Sequence, residues 1–260
     1  MNNSKDRKTS IIIPFRDRIN LLRACVLSIL EKSTYQNYEI ILVDNGSKEG
    51  ETKKYLLEMA KNPKVKLLDY PKPFNFSAIN NFAANQAEGE YVLFLNNDTE
   101  VISQNWLEEM LKPFDDPKVG AVGAKLLYGD GTIQHAGVVV GKNVAVHQFL
   151  GIEEKDLGEN DVVRVVDAVT GACLMTRKDL FLELGGFDGE NLPIAYNDVD
   201  YCLRLKEKGW KIIWTPGAKL FHFESASRKS DINFFARIFR RKRYGQFKRE
   251  QDYMRRRWGM

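Results

Sequence analysis

Residues 91–101 read YVLFLNNDTEV. Five apolar residues run without a break into two asparagines and an aspartate. An apolar run of that length reads as a buried strand. The polar cluster that closes it fits the carboxyl end of a strand in an α/β sheet, where ligands bind. Asn and Asp are also turn formers, so the same cluster fits a strand that simply ends in a turn. The neighbouring sequence separates the two readings.

Toward the N-terminus lie two further apolar, β-branched runs, SIII at 10–13 and EIILV at 39–43, and a shorter one, VKLL, at 65–68. They read as strands. Between the first two, Leu22, Cys25, Val26, Ile29 and Leu30 recur at helical spacing and predict a helix over 19–32. Further helices are predicted over 52–61 and 76–87. Strands alternating with helices imply βαβ units and a parallel sheet. Three strands end in polar residues: Phe15-Arg16-Asp17, Asp44-Asn45-Gly46-Ser47 and Asn96-Asn97-Asp98. Three polar ends on one sheet edge predict a nucleotide-type site at that edge. No GxxxxGK[ST] occurs and no GxGxxG follows the first strand, which removes the main feature of P-loop and dinucleotide-binding proteins.

Beyond residue 100 the texture changes. A helix is predicted over 106–114, and strands of a mixed sheet over 119–127, 138–146 and 168–176. A helix over 178–184 is stopped by Gly185-Gly186. Another over 199–208 carries Asn197-Asp198 at its start, with Asp200 and Arg204 spaced for a helical ion pair. A last strand over 211–215 is followed by Pro216-Gly217 and then Leu220-Phe221-His222.

The 260 residues suit one large domain or two intimate ones. Hydrophobic content of 43% with 28% charged residues is ordinary for a soluble chain. No apolar run approaches the ~18 residues of a membrane span, and the polar start MNNSKDRKTS is not that of a signal peptide. Cys25, Cys173 and Cys202 are odd in number and set among apolar residues, which predicts free buried thiols in a reducing cytosol. The net charge of +4 is uneven. From 228 to 260 there are 12 Lys+Arg against 3 Asp+Glu, whereas 1–227 hold 27 against 32. A mildly acidic body (1–227) therefore precedes a basic, aromatic C-terminal segment (228–260).

The motifs, taken in order, resemble the family 2 glycosyltransferases of the GT-A fold: SIIIPFRDR (10–18), YEIILVDNGS (38–47), PFNFSAINN (73–81), GEYVLFLNNDTEV (89–101), GTIQHAGVV (131–139), VTGACLM (169–175), GGFD (185–188), NDVDYCLRL (197–205) and HFESASR (222–228). The resemblance spans about 10–228 and is strongest to enzymes of bacterial surface polysaccharides such as O-antigen and rhamnose-containing chains. It implies an α/β GT-A fold: a Rossmann-like nucleotide-binding half (about 1–100), a mixed central sheet, and a smaller acceptor-side and catalytic half (101–227). It also implies an inverting enzyme that moves a sugar from a UDP- or dTDP-linked donor, with Mn²⁺ or Mg²⁺, to a hydroxyl of a glycan or lipid-linked oligosaccharide.

The resemblance assigns roles residue by residue. Pro14, Phe15, Arg16, Asp44, Asn45, Phe76, Asn80, Asn96, Asn97, Asp98 and Arg228 are implied on the donor side. Asp44 would accept the ring N–H that uracil and thymine share, a task that suits a carboxylate; a turn or capping role is the competing reading. For the segment around Phe76, the competing reading is a Ser77 helix cap with Phe76 in the core. Asp98 and His222 are implied as metal ligands. Asn96 stands where the family's DxD motif carries its first acid, so the site has one carboxylate and leans on donor phosphates. Gly171, Ala172 and Asn197 are implied on the acceptor side. Asp198 is implied as the base that takes the proton of the attacking hydroxyl, against the reading that it caps the helix from 199. His135 and His147 are further pocket candidates.

The C-terminal run FFARIFRRKRY (234–244) predicts a basic amphipathic helix. Two roles fit it: peripheral contact with the anionic inner face of the cytoplasmic membrane, where each cation is worth about 1 kcal/mol, or packing with a solvated charged face. Three rival functions were weighed. A GT-A module that binds sugar nucleotide or glycan without turnover fits the neutral Asn96 and Asn197. A nucleotidyltransferase lacks its Gly-rich phosphate loop here. Nucleic-acid binding lacks a recognised motif around the cations, so no nucleic acid is expected as a partner.

Overall fold

A computed structural model describes residues 7–142, 144–223 and 234–260, except for the side chains of 234–244. The first half runs β1 (Thr9–Phe15), α1 (Ile19–Lys32), β2 (Tyr38–Asp44), α2 (Gly50–Met59), β3 (Val65–Asp69), α3 (Phe76–Gln86) and β4 (Tyr91–Leu95). It continues with β5 (Thr99–Val101), α4 (Trp106–Leu111), β6 (Val119–Leu127), β7 (Ile133–His135), β8 (Val138–Gly141), β9 (Val144–His147) and β10 (Arg164–Val166). The chain then forms β11 (Cys173–Arg177), α5 (Lys178–Glu183), α6 (Asn197–Glu207), β12 (Lys211–His222) and α7 (Phe234–Trp258).

Among the described residues, ten strands form one sheet. Its path is β10-β12-β6-β11-β4-β1-β2-β3, with β5 added to β12 and β7 added to β6. β3, β2, β1 and β4 are mutually parallel. β11 inserts antiparallel between β4 and β6, and β6 is parallel to β12. The sheet is therefore mixed, as expected. From β1 the chain steps outward to β2 and β3, then returns to place β4 on the other side of β1. That reversal opens a crevice above the carboxyl ends of β1 and β4.

The unbroken apolar character of β1 follows from burial on both faces. Ile11 and Ile13 join the core beneath α1, α2 and α4, and Ile12 joins the core beneath α3, α5 and α6. Alternation along a strand sends neighbours to opposite faces. In the second core, Phe94 of β4 packs between Phe181 and Phe187, with ring centroids 4.8 and 4.7 Å away.

Several expectations need correction. The strand expected over 138–146 is a separate hairpin of β8 and β9, with an isolated bridge from Val138 to Ala168, two residues beyond β10. Gly141 closes β8 and suits the turn that splits the stretch. The strand expected over 168–176 begins only at Cys173, because Thr170 turns the backbone and accepts the Cys173 N–H at 3.2 Å. β5, β7 and β10 were not expected; three residues are too few for a periodic signal. The last strand does not stop at 215 but continues as β12 to His222, through a register shift between Thr215 and Lys219. Asn75, not Ser77, caps α3, its side-chain oxygen accepting the Ala78 N–H at 2.9 Å. Ser77 instead donates to the Leu192 carbonyl at 2.6 Å.

The C-terminal segment is also more integrated than a tail set apart at 228. Glu250 and Met254 are 0% and 1% exposed, and Met254 lies in the same core as α6 and Trp214. The Tyr253 hydroxyl donates to Asp188 at 2.9 Å, and the Trp258 indole N–H donates to Asp200 at 2.9 Å. The expected helix is present, and its second half packs on the body. The side chains of 234–244, on which membrane contact depends, lie outside the described residues. Among the described residues, no helix is long and apolar enough to cross a membrane.

Truncating the central ring tests the packing. Phe94→Ala should lower unfolding free energy by about 3–5 kcal/mol, read as a lower denaturant midpoint at unchanged slope.

Candidate functional site

A cavity of about 930 Å³ occupies the crevice. Ligand pockets commonly span about 300–1,000 Å³. Its lining includes Pro14, Phe15 and Arg16 from the end of β1, Asn45 from β2, Phe76 from α3, and Asn96, Asn97 and Asp98 beyond β4. From the second half it draws Gly171, Ala172, Asn197, Asp198 and His222. Residues expected on donor, acceptor and metal sides thus share one cavity.

Two expected donor residues, Asp44 and Asn80, do not line it. The Asp44 carboxylate closes a turn by accepting the Ser47 N–H at 2.7 Å. Asn80 is fully buried, and its amide donates to the Phe76 carbonyl at 2.9 Å. Asn45 lines the cavity and is held by two donated bonds, to the Tyr70 and Lys72 carbonyls, each 2.8 Å. Arg228 lies outside the described residues.

The loops at the carboxyl edge are stitched together by a residue that the sequence marks only as part of a polar strand end. Asp17, in left-handed backbone at φ 53°, accepts the Lys48 and Glu49 N–H groups at 2.7 and 2.9 Å. It satisfies the free donors at the start of α2 from a different loop. Its own N–H donates to the Ser47 hydroxyl at 2.8 Å. The loop after β1 is thus fastened to the loop after β2, which fixes one wall of the crevice.

At the other wall, β12 brings His222 across to the end of β4. His222 Nε2 lies 3.2 Å from Asp98 Oδ1 and 3.2 Å from the Asn96 amide nitrogen. On the opposite ring edge, His222 Nδ1 lies 2.6 Å from Gln134 Oε1, while the Gln134 amide donates to the His222 carbonyl at 3.2 Å. Gln134 Oε1 is an acceptor, so Nδ1 carries the proton, and the Nε2 lone pair, which accepts from the Asn96 amide, lies beside Asp98. A lone pair and a carboxylate oxygen facing each other at this distance fit a shared cation. An octahedral ion of Mg²⁺ type, with donors at about 2.1 Å, places adjacent donors about 3 Å apart. Gln134 thus fixes the tautomer of His222, as an outer partner would for a histidine that holds a metal. No signal in the sequence marks it beyond its place beside His135. Among the described residues, no cluster of three or more His, Cys, Asp or Glu side chains could hold a metal by itself.

Asp198 sits in the first turn of α6, which begins at Asn197 rather than at 199. It is therefore not the residue that precedes the helix; that position belongs to Tyr196, in left-handed backbone at φ 60°, ψ 0°. Asp198 Oδ2 accepts the Gly171 N–H at 2.7 Å, and Oδ1 accepts the Val199 N–H at 2.8 Å. Asp200 is fully buried and pairs with Arg204 at 2.8 Å, the helical ion pair expected from the spacing.

The loop that donates to Asp198 is steadied by His135. Its Nε2 accepts the Thr170 N–H at 3.4 Å, and its Nδ1 lies 3.0 Å from Nδ1 of His147. This assigns the His135 proton to Nδ1, donated to His147. Burial, reinforced by His147, His222 and Arg164, holds the His135 pKa well below the ordinary 6.5. Burial likewise raises the thiols of Cys25 and Cys202 to about 12 and disfavours thiolate at Cys173, so none is a nucleophile here. Tyr196 and Phe247 also line the cavity, the latter from α7. Only the tertiary fold brings Phe247 there.

Residues 10–183 match the family profile described as Glycosyl transferase family 2. The "O-antigen biosynthesis protein RfbC" of Myxococcus xanthus is 45% identical over 229 residues, covering 86% of this chain and 18% of that protein. An uncharacterized protein of Sinorhizobium fredii, y4gI, is 43% identical over 254 residues, covering 96% of this chain and 27% of its own length. The chain thus spans under a third of either relative. Among solved structures, "GalNAc-T7 with UDP, GalNAc and Mn2+" superposes with a TM-score of 0.71 at 20% identity, covering 84% of this chain and 43% of that one. The architecture is the GT-A fold.

The buried His135 makes stability pH-dependent. Its folded pKa lies below its unfolded value, so the unfolded chain binds more protons below about pH 6.5 and stability falls with pH there. At pH 5.5 the loss from this residue is at most about 1.4 kcal/mol. In chelator, the thermal midpoint of His135→Gln should depend less on pH between 7 and 5.5 than that of wild type; equal slopes would contradict the assignment.

Proposed function

The chain belongs to glycosyl transferase family 2, and from that premise we propose that its cavity transfers a sugar with inversion from a UDP- or dTDP-linked donor to an acceptor hydroxyl. The observation that carries this reading is the convergence in one cavity of the Asp98–His222 pair, 3.2 Å apart, and the Asp198 carboxylate. The first suits a divalent ion that engages a diphosphate. The second suits a base.

Asp198 is the proposed catalytic base. Its two backbone hydrogen bonds hold the carboxylate in one orientation, and each oxygen keeps a lone pair for the hydroxyl proton. Because Asn197 is neutral, no adjacent carboxylate opposes its charge. Gly171 and Ala172 border the same space, and with no side chain at Gly171 the backbone lies close to Asp198. On the donor side, Phe15, Arg16, Asn45 and Phe76 line the region toward the nucleotide, with Asn96 and Asn97 nearer the ion. Asp98 and His222 would hold Mn²⁺ or Mg²⁺, which when bound offsets the negative charge that grows on the leaving diphosphate. Asn96 adds no charge, so ion and donor bind together rather than in sequence. The nucleobase roles of Asp44 and Asn80, like that of Arg228 toward the diphosphate, remain part of the proposal; both Asp44 and Asn80 would act from outside the present lining.

The Myxococcus relative named for O-antigen biosynthesis supports a place in bacterial surface polysaccharide assembly, on a glycan or lipid-linked acceptor at the cytoplasmic face of the membrane. Residues 228–260 would then lie toward that surface.

Two measurements test the site. Asp198→Asn should reduce transfer by about 10²- to 10⁴-fold while calorimetric binding of UDP or dTDP with Mn²⁺ stays within twofold; near-normal turnover would sink the base assignment. Mn²⁺ alone should bind weakly and UDP·Mn²⁺ tightly, and Asp98→Asn should abolish that difference. Nucleotide binding with no turnover of any UDP- or dTDP-sugar would favour the non-catalytic binding module instead.

A further inference from the structure

The acid that shapes the approach to Asp198 lies 52 residues further along the chain. Glu250 of α7 is fully buried. Its Oε2 accepts the Ala195 N–H at 2.8 Å, and its Oε1 accepts the Ile194 N–H at 3.2 Å and the Gln246 side-chain amide at 2.8 Å. Three N–H donors thus converge on a group that offers only acceptors.

The segment it grips is conformationally unusual. Tyr196 is held in left-handed backbone, a conformation that costs a non-glycine residue about 1–2 kcal/mol and persists where the surroundings over-determine it. The Tyr196 carbonyl accepts the Asp200 N–H at 2.8 Å, the first bond of α6. The conformation at 194–196 therefore sets the direction in which the first turn of α6, with Asp198, enters the cavity. The Phe247 ring, one helical turn from Glu250, packs on the Tyr196 ring with centroids 5.4 Å apart, and both line the cavity. A buried acid with only a packing role would have no reason to satisfy two consecutive backbone amides beside the base.

We infer that Glu250 is a positioning residue for the reaction: its carboxylate clamps the Ile194 and Ala195 amides, holds Tyr196 in its left-handed conformation, and thereby aims Asp198 into the cavity. The inference rests on the reading of Asp198 as the base. α7 is on this account part of the catalytic machinery rather than an appendage to it.

Glu250→Gln is nearly isosteric but presents one amide donor to this ring of donors. Three readouts separate aiming from bulk stability: hydrogen exchange at the Ile194 and Ala195 amides, calorimetric affinity for UDP or dTDP with Mn²⁺, and kcat on a UDP- or dTDP-sugar that wild type turns over. The expected result is exchange at least tenfold faster at those two amides, kcat at least tenfold lower, and nucleotide affinity changed less than twofold. Glu250→Asp, which keeps the carboxylate, should recover part of the loss. Unchanged exchange at 194–195, unchanged kcat, or kcat and nucleotide affinity falling together would each overturn the proposal. Should Glu250→Gln not fold, Gln246→Ala removes only the side chain that orients the carboxylate; it should give the same changes at smaller size, and silence in both exchange and kcat overturns the proposal. Near-normal turnover by Asp198→Asn would refute the base while leaving the exchange result to stand alone.

Discussion

The parallel pairing of β1 with β4 is the constraint on which the rest depends. β4 could have continued outward past β3, and the sheet would then have grown in one direction. Returning to the inner edge of β1 instead places Ile12 beside Phe94 and leaves two polar strand ends next to each other with no crossover covering them. The polar ends need partners or solvent, and the crevice supplies space for both. Every later strand of the main sheet is added to the side of β4 away from β1. β11, β6 and β12 extend the sheet from there, and β12 carries His222 back to the end of β4.

The site is therefore held by two kinds of connection. Around the ends of β1 and β2 the connections are short in sequence, as when Asp17 binds the backbone just before α2. At the opposite wall they are long: His222 meets Asp98, Gln134 holds His222, and Glu250 holds the loop before Asp198. Each distant contact uses a buried polar group with named partners, as low-dielectric surroundings require. On the proposed reading this division bears on the chemistry as well as the fold: the donor side would need an accommodating edge, whereas a base would have to be held in one direction to be useful.

The sheet of the first half was legible because both faces of its strands are buried, which writes them as unbroken apolar runs such as Ile11-Ile12-Ile13. Asp98, Asp198 and His222 were legible because each stands in a recognisable motif beside a strong element. What the sequence hid falls into two groups. β5, β7 and the split at Gly141 are too short for periodicity to register. Gln134, Asp17 and Glu250 act through contacts with distant backbone, and nothing local distinguishes them from ordinary polar residues. Of the two roles that fit the C-terminal segment, packing is seen in its second half, where Glu250, Tyr253, Met254 and Trp258 dock the helix on the body; none of these is marked by the positive charge of the segment.

The docking of α7 has a consequence for the order in which the molecule becomes itself. A chain emerging from its N-terminus completes β1 to β4, and with them the nucleotide edge, long before α7 exists. Until Glu250 arrives, the amides of Ile194 and Ala195 have no buried acceptor, and nothing compensates the unfavourable backbone of Tyr196. On the proposed reading, the half that would grip a donor can thus mature ahead of the half that would spend it. Competence for chemistry would then wait for α7, and a chain not yet extended through Glu250 would hold a sugar nucleotide before it could consume one.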